Sequence, residues 1–593
     1  MQVTRIFDIL DKLQDQFADK PNILAHKERK GIWKEVSVKE FVAKVNYVSA
    51  ALLQKGIKPG DTIALIANNR PEWNYVDYAC QQIGAILVPV YPTISQHDLD
   101  FILAHAEVKG VFFSSIDILR KLQKVSAHQN LGFLSSFNDD ESKDSFLKIL
   151  ELGQQHYAER KNEIENIKKN IHPNDLISIL YTSGTTGVPK GVMLSHNNIL
   201  SNALACQYLV PFDPKWHYLS FLPLNHVYER MFGTLILYLG ISVYYAQAIE
   251  TVAENLQEVN PQVIVTVPRL LERVYDRMLS RGTELTGLKK KIFDWALDLA
   301  LKYEPDGANG IIYELKRKIA DKLVFVKWRE ALGGKLMFIV SGGAALQPRL
   351  SRSFTCAGIH TFQGFGLTET SPVISTTYLG KGNNIFGTVG KVIKDTTVKI
   401  AEDGEILVKG PGVMLGYYKN PEATAEAIDK DNWFHTGDIG TFVHDNFLKI
   451  TDRKKEIFKT SAGKYITPLV LENKLKECRF VEQCMVVGEQ QKFASALIVP
   501  SFDYIKEWCE AKGIAFTTNE EMIQNADIRK EINTFIREMN RELSPYEHIK
   551  RPELLAHSWS IETGELTPKM SMKRKVILEK NKAVIDKIFS KEE

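Results

Sequence analysis

Tyr181-Thr-Ser-Gly-Thr-Thr-Gly-Val-Pro-Lys190-Gly191 is the stretch on which the reading of this chain turns. It leaves an apolar run, Ile177–Tyr181, with the character of a buried strand. The run after it, Val192–Leu194, ends at Ser195, a good helix N-cap. Gly184 and Gly187 let backbone N–H groups turn inward around an anion. The hydroxyls of Thr182, Ser183, Thr185 and Thr186 add donors, and Lys190 adds a point charge. A Walker loop is excluded, because the sixth position counted from Gly184 is Pro189, not glycine. A plain polar hairpin seldom combines so many hydroxyls with paired glycines and a lysine, so phosphate binding is the favoured reading.

The same strand–helix alternation extends on both sides. Thr62–Ile66, Ala85–Val90 and Val111–Phe113 read as strands, separated by helices from Pro71 through Cys80 and over Gln96–His105. Beyond the loop, Ile177–Tyr181, Tyr218–Phe221, Ser242–Tyr245, Val263–Val267 and Leu336–Val340 are strand-like, with a long Lys- and Arg-rich helical stretch over Leu270–Ala331. Such alternation predicts mainly parallel sheets covered by helices on both faces, an α/β fold. The polar segment from Gly132 to His172 reads as a surface connection with some helix. Near Phe386 the pattern changes to short alternating strands, Val389–Ile400, Glu405–Lys409 and Phe447–Thr451. Turns at Asp403-Gly404 and His444-Asp445-Asn446 suit antiparallel hairpins in a small β subdomain of about 386–451. After Asp452 comes a smaller α+β stretch to the C-terminus. The expected organisation is therefore a large N-terminal domain, 1–451, with two parallel-type sheets and the β subdomain, followed by a C-terminal domain, 452–593.

The chain has 593 residues, and 75 basic against 72 acidic residues leave a net charge of +3. That balance gives no electrostatic footprint for nucleic acid. Six cysteines without a C-x-x-C pair speak against a disulfide framework and a zinc site, and suit a reducing cytoplasm. Asp8 and Asp11 interrupt the first apolar periodicity, which argues against a signal peptide. Met231–Ala248 carries no charge, but Gly240 in its middle and the β-rich Ile241–Tyr245 after it favour a buried helix running into a buried strand over a membrane span.

Several further strings carry chemistry. Ser341-Gly-Gly-Ala344 follows a strand, and its missing side chains let a flat ring lie against the backbone. In Gln363-Gly-Phe-Gly-Leu-Thr-Glu369, Phe365 offers an aromatic face, although a tight turn and a core aromatic fit equally well. Glu369 beside a polyphosphate makes sense as a Mg²⁺ ligand. His226 lies in Leu222-Pro-Leu-Asn-His226-Val-Tyr-Glu-Arg230, followed by an aromatic and by an ion-pair candidate, Glu229-Arg230. Trp433-Phe-His-Thr-Gly-Asp438 and Asp452-Arg-Lys-Lys455 complete the series.

Together, in this order, these strings resemble the adenylate-forming superfamily of acyl-CoA synthetases, luciferases and peptide-synthetase adenylation domains. The His226–Arg230 string, Val267-Pro-Arg-Leu-Leu-Glu-Arg273 and Ala331-Leu-Gly-Gly-Lys335 are similar to its long-chain fatty acyl members. The resemblance implies an enzyme that uses ATP and Mg²⁺ to convert a medium- or long-chain fatty acid to acyl-AMP, then to a thioester with coenzyme A. It implies nucleotide contacts from Thr182, Ser183, Gly184, Thr185, Thr186, Gly187, Lys190, Gly342, Gly343, Ala344, Gln363, Gly364, Phe365 and Thr368. Asp438 and Arg453 belong to the ribose side, Lys455 and Lys459 lie within reach of phosphate, Thr182 and Glu369 are placed at the metal, and His226 borders the carboxylate pocket. The C-terminal domain is expected to be mobile, with its hinge at Asp452, and Thr460-Ser-Ala-Gly463 resembles a loop that meets coenzyme A.

The chain departs from the family at the catalytic lysine. Long-chain members read L-T-P-T-x-K-x-K-R, whereas Leu566-Thr-Pro-Lys569-Met-Ser571-Met-Lys573-Arg574 puts Ser571 in that place. On an extended strand Lys569, Ser571 and Lys573 would share a face. Lys573 is the preferred assignment and Lys569 the second. Two other functions stay open at this point: an acyl-AMP ligase that hands its product to a carrier protein, and a non-catalytic nucleotide- or acyl-binding protein. A fatty acid substrate also brings in a membrane as a peripheral partner at its inner face. The basic residues Lys289–Lys291 and Lys316–Lys318 read as a solvated helical face ahead of a lipid contact.

Overall fold

The computed structural model describes residues 2–28, 31–138, 144–182, 188–444, 446–560, 562–567 and 572–590. The chain forms two compact units. The first takes in 1–398 with 407–435 and 443–448; the second takes in 449–593 together with the short stretches 399–406 and 436–442.

The first unit contains two sheets. In one, Leu24–Lys27, Ser242–Tyr245, His217–Ser220, Val263–Thr266, Phe338–Ser341 and His360–Gly366 lie side by side, all parallel. In the other, Leu176–Thr182, Ile86–Pro89, Thr62–Ile66, Gly110–Phe113 and Phe133–Ser136 are likewise parallel, and Lys190–Ser195 joins antiparallel to Leu176–Thr182. Side chains on a strand alternate between faces, and here both faces are buried. Ile63 and Leu65 of the second sheet and Phe338 and Val340 of the first enter one shared core. That core also holds Val42, Val45, Tyr75, Val76, Ile199, Phe232 and Ile236 from helices. The alternate residues Ala64 and Ile66 pack under the helices Gln96–His105 and Ile116–Leu122. Ile264 and Ile339 pack under Val252–Val259, Pro268–Thr283 and Pro348–Cys356. The unit is therefore layered helices, sheet, helices, sheet, helices, the α/β arrangement that alternation predicts.

Three local expectations change. The segment 132–172 is not mainly a surface connection: it carries the strand Phe133–Ser136 and a 25-residue helix, Phe146–Asn170. Its buried stripe is narrow, Phe146, Ile149, Gly153 and Ile164, so the charged remainder masks the helical period. The single strand expected over Val389–Ile400 is two, Lys391–Val392 and Thr397–Ile400, broken where Asp395 takes a left-handed conformation with φ 60°. Glu229 and Arg230 do not pair with each other, as described below. The uncharged run Met231–Ala248 is the end of the helix Val227–Tyr238 and the buried strand Ser242–Tyr245. Among the described residues no helix is long and apolar enough to cross a membrane.

The second unit has its own two-faced sheet, Val481–Val487, Ser495–Pro500 and Glu553–Leu554. Cys484, Val486, Ala496 and Ile498 pack against Pro468–Leu475, Phe502–Lys512 and Ala526–Asn540. Met485, Val487, Leu497 and Val499 face Arg574–Lys580 and Lys582–Ser590. All six cysteines of the chain are buried.

Candidate active site

Thr182 and Lys190 face each other as paired residues where the antiparallel strands Leu176–Thr182 and Lys190–Ser195 meet their connection. Ser183, Gly184, Thr185, Thr186 and Gly187 lie outside the described residues. Ser195 caps the next helix as its sequence suggests: its Oγ accepts from Asn198 N at 3.1 Å, and Asn198 Oδ1 accepts from Ser195 N at 2.8 Å. That helix, His196–Ala205, carries two asparagines that hold distant backbone in place. Asn198 Nδ2 donates to the carbonyls of Pro411 and Val413 at 2.7 and 2.9 Å. Asn202 donates to Val373 O at 2.8 Å and accepts from Val373 N at 3.0 Å.

These anchors bring Glu369 and Lys190 to one place. Met414 N donates to Glu369 O at 2.8 Å, and Tyr418 N donates to Gly191 O at 2.7 Å. Between them, the Tyr417 hydroxyl donates to Glu369 Oε1 at 3.0 Å, while Lys190 Nζ lies 4.9 Å from the centre of the Tyr417 ring. Sequence reasoning missed Tyr417 altogether; a tyrosine after Gly416 carries no local signal, and its role arises only because Gly416–Tyr417 pairs with Val192 and Met193.

Strands Phe338–Ser341 and His360–Gly366 are parallel neighbours with Ser341 opposite Gln363, so Gly342, Gly343 and Ala344 emerge beside Gln363, Gly364 and Phe365 at the carboxyl ends. That is where open α/β sheets bind ligands. Gly343 and Ala344 are exposed, whereas Gln363, Phe365 and Thr368 are buried. At Gly342 a Cβ would come within 3.2 Å of the Tyr228 ring, close enough that the ring would have to give by a few tenths of an ångström, and the hydroxyl of that ring donates to Val340 O at 3.0 Å. At Gly366 the demand is absolute: a Cβ would sit 1.7 Å from Pro372 O.

His226 is the N-cap of Val227–Tyr238, and its Nδ1 accepts from Tyr228 N at 3.0 Å. This places the ring proton on Nε2 and gives the histidine a structural task. The two residues expected to pair with each other do not. Arg230 instead grips Asp77, with Nη2–Oδ1 at 2.5 Å and Nε–Oδ2 at 3.1 Å, both side chains almost wholly buried. Glu229 Oε1 accepts from Tyr218 and Ser220 at 2.7 and 2.5 Å, and Oε2 has no hydrogen-bond partner among the described residues.

Burial pushes the Glu229 carboxyl up to about 8, the two hydrogen bonds offsetting only part of the rise. The folded chain then keeps a proton that the unfolded chain gives up near its ordinary value, about 4.3. This group's contribution to stability accordingly falls as pH rises between those two values and is level outside them. Glu229→Gln keeps the acceptor and removes the titration. Thermal melts from pH 5.5 to 8 should decline less steeply for the variant than for the parent; parallel curves would refute a neutral Glu229.

The remaining candidates belong to the second unit. Asp438 Oδ1 lies 3.4 Å from Arg453 Nε, and the buried Asp452 carboxyl accepts from Arg453 N at 2.6 Å, burial pushing it up to about 6. Lys455 and Lys459 are exposed, Lys459 Nζ lying 4.7 Å from the centre of the Tyr465 ring. Thr460–Gly463 forms the turn between the paired strands Phe458–Lys459 and Tyr465–Ile466. Lys569 and Ser571 lie outside the described residues. Lys573 is exposed, and next to it Met572 forms an antiparallel bridge with Leu566; the shared face expected of Lys569, Ser571 and Lys573 falls mostly outside the described residues.

Residues 12–418 match the family model described as AMP-binding enzyme, and residues 455–593 match the one described as AMP-binding enzyme C-terminal domain. The chain belongs to the AMP-binding enzyme family. It is 33% identical over 554 residues to a peroxisomal long chain acyl-CoA synthetase 6 of Arabidopsis thaliana, with 89% of this chain and 77% of that protein covered. It is 31% identical over 582 residues to the long-chain-fatty-acid–CoA ligase FadD15 of Mycobacterium bovis, covering 95% and 93%. In fold it is similar to the adenylation domain of a carboxylate reductase from Mycobacterium chelonae, with a TM-score of 0.74 at 19% identity over 99% of this chain and 91% of that one.

The donors of this AMP-binding enzyme fit Mg²⁺. Among the described residues no cluster of three or more His, Cys, Asp or Glu could cage a metal. Mg²⁺ needs none, since it favours one or two carboxylates with water and substrate phosphates. Glu369 is half-buried, and the Tyr417 hydroxyl occupies Oε1. Tyr417→Phe removes that hydrogen bond to a charged group, worth about 1.5–3 kcal/mol. It should raise the Mg²⁺ concentration for half-maximal adenylation by about tenfold or more, with the melting temperature falling by no more than about a few degrees; an unaltered Mg²⁺ titration would contradict this role.

Proposed function

We propose that the protein is an AMP-forming ligase that joins a medium- or long-chain fatty acid to coenzyme A at the expense of ATP. The observation that carries this reading is the similarity to long-chain acyl-CoA ligases along nearly the whole chain, through both units. The acid's carboxylate attacks the α-phosphorus of ATP, pyrophosphate leaves, and acyl-AMP remains. The thiol of coenzyme A then attacks the acyl carbonyl and AMP departs. Both first-step reactants are anions, so the work of the protein is to hold them together and neutralise charge. In this reading Lys190 and the 182–187 loop hold the departing phosphates, and Gly342–Ala344 with Gln363–Phe365 receive the adenine. Thr368 lies at the α-phosphoryl group, His226 at the acid, and Asp438 and Arg453 at the ribose. Mg²⁺, held by Glu369 and Thr182, would neutralise phosphate charge. Lys573, with Lys569 second, reaches the α-phosphoryl group, and the second unit turns about Asp452 between the two steps, bringing the Thr460–Gly463 loop to coenzyme A.

The acceptor is tested with palmitate, ATP and Mg²⁺ by following AMP release with and without coenzyme A. AMP release that follows coenzyme A and matches thioester formation one for one is the expected result. Acyl-AMP that accumulates and ignores coenzyme A would move the function to acyl transfer onto a carrier protein. Since long-chain acids partition into bilayers, the reading also includes a cytoplasmic enzyme that meets its substrate at the membrane's inner face.

A further inference from the structure

The outer helical layer of the first unit has a face that none of the described residues covers. The helix Ile311–Ala320 and the π-turn Asp321–Phe325 bury Ala320, Val324 and Phe325, with Trp328 following. The opposite side exposes Ile311, Ile312, Leu315, Ile319 and Leu323 at 82, 72, 57, 54 and 49%. Steps of three and four residues from Ile312 to Leu323 align them in one stripe. A single exposed leucine is ordinary; five branched aliphatic side chains on one face are not.

Charge around the stripe is equally one-sided. Its two acidic neighbours are taken by arginines: Glu314 by Arg317 at 2.9 Å and Asp321 by Arg329 at 2.5 Å. Lys316, Lys318 and Lys322 are exposed, and among the described residues no carboxylate pairs with them. At 100° per residue Lys316 and Lys318 fall on opposite margins of the apolar stripe. The adjoining helix Gly287–Leu301 is tied to this one by the Tyr313 hydroxyl, which donates to Leu299 O at 2.5 Å. Its second residue, Leu288, is 73% exposed and is followed by exposed Lys289 and Lys291. An apolar stripe with lysines at its margins is the pattern of a helix lying in a lipid interface.

We infer that this face docks onto a bilayer containing anionic lipid, the stripe entering the headgroup–acyl boundary and the lysines meeting lipid phosphates. The inference rests on the fatty acid reading for its purpose, since the bilayer is where a long-chain acid collects, but its physical test needs no turnover. The full chain is floated with phosphatidylglycerol–phosphatidylcholine vesicles and with phosphatidylcholine vesicles, at low and high salt. The parent should bind the anionic vesicles and lose at least about tenfold in affinity on the neutral ones or at high salt, as expected from three lysines near the surface. Ile312→Asp/Leu315→Asp should abolish flotation, and Lys316→Glu/Lys318→Glu should remove the salt dependence, with melts matching the parent because all four side chains are exposed. Equal flotation of parent and the aspartate variant, or no flotation of the parent, would overturn the inference. So would a parent that sediments as a dimer and fails to float, with the aspartate variant monomeric, because a second copy of the chain would then cover the face. Ligase activity on dissolved acid, measured in parallel, stands or falls separately from these outcomes.

Discussion

Lys573→Ala should slow acyl-AMP formation by about 10²–10³-fold, the scale of losing one preorganised charge at a developing transition state. Thioester formation from supplied acyl-AMP should stay near the parent rate. The reason lies in how residue 573 is mounted. The next residue, Arg574, is clamped: Nη1 donates to Glu472 Oε1 and Nη2 to Val486 O, each at 2.6 Å. Glu472 is itself buried and accepts from Val486 N at 2.8 Å. Lys573 N donates to Glu565 O at 2.7 Å. The backbone at 573 is therefore fixed to the core of the second unit while the side chain stands exposed, a long cation on a rigid base. Lys569→Ala should cost less. Parallel measurement of pyrophosphate exchange and of thioester formation separates the two half-reactions; parent rates of exchange in both variants would contradict the assignment of either lysine.

Asp77→Ala should destabilise the first unit by about 3–5 kcal/mol, the cost of leaving one member of a buried pair without its partner. Asp77 and Arg230 are each 3% exposed, and the guanidinium stands 5.7 Å from the centre of the Trp73 ring. Arg230 Nη1 has no hydrogen-bond partner among the described residues, so the aspartate is what balances this charge. A double variant, Asp77→Leu/Arg230→Met, should recover most of the loss, since apolar replacement of both partners removes the stranded charge. Chemical denaturation followed by tryptophan fluorescence reads both. A double variant as unstable as the sum of the single ones would show that packing, not charge, is what the pair supplies.

Much of this architecture is legible in the sequence because local pattern and global fold agree. Thr62–Ile66, Gln96–His105, Ser242–Tyr245 and Glu405–Lys409 are found with the expected limits. Buried parallel strands read as continuous apolar runs, and Ser195 announces a helix by its capping chemistry. What stays hidden depends on partners far along the chain. The helix Phe146–Asn170 rests on a stripe too thin to stand out among its charges. The partner of Arg230 is 153 positions away, and nothing in the His226–Arg230 string points to Asp77. Tyr417 reaches Glu369 across 48 positions, through a strand pairing that no local propensity encodes. His226 shows the converse: a histidine singled out by its string is occupied in part as a helix cap. The exposed stripe from Ile311 to Leu323 is visible only once its other face is seen to be filled.

ATP–pyrophosphate exchange with a panel of acids from acetate to stearate asks whether the protein is a ligase acting on fatty acids. Exchange should rise with chain length and be lost without Mg²⁺. No exchange with any acid would contradict a ligase and leave a protein that binds nucleotide or acyl ligands without joining them.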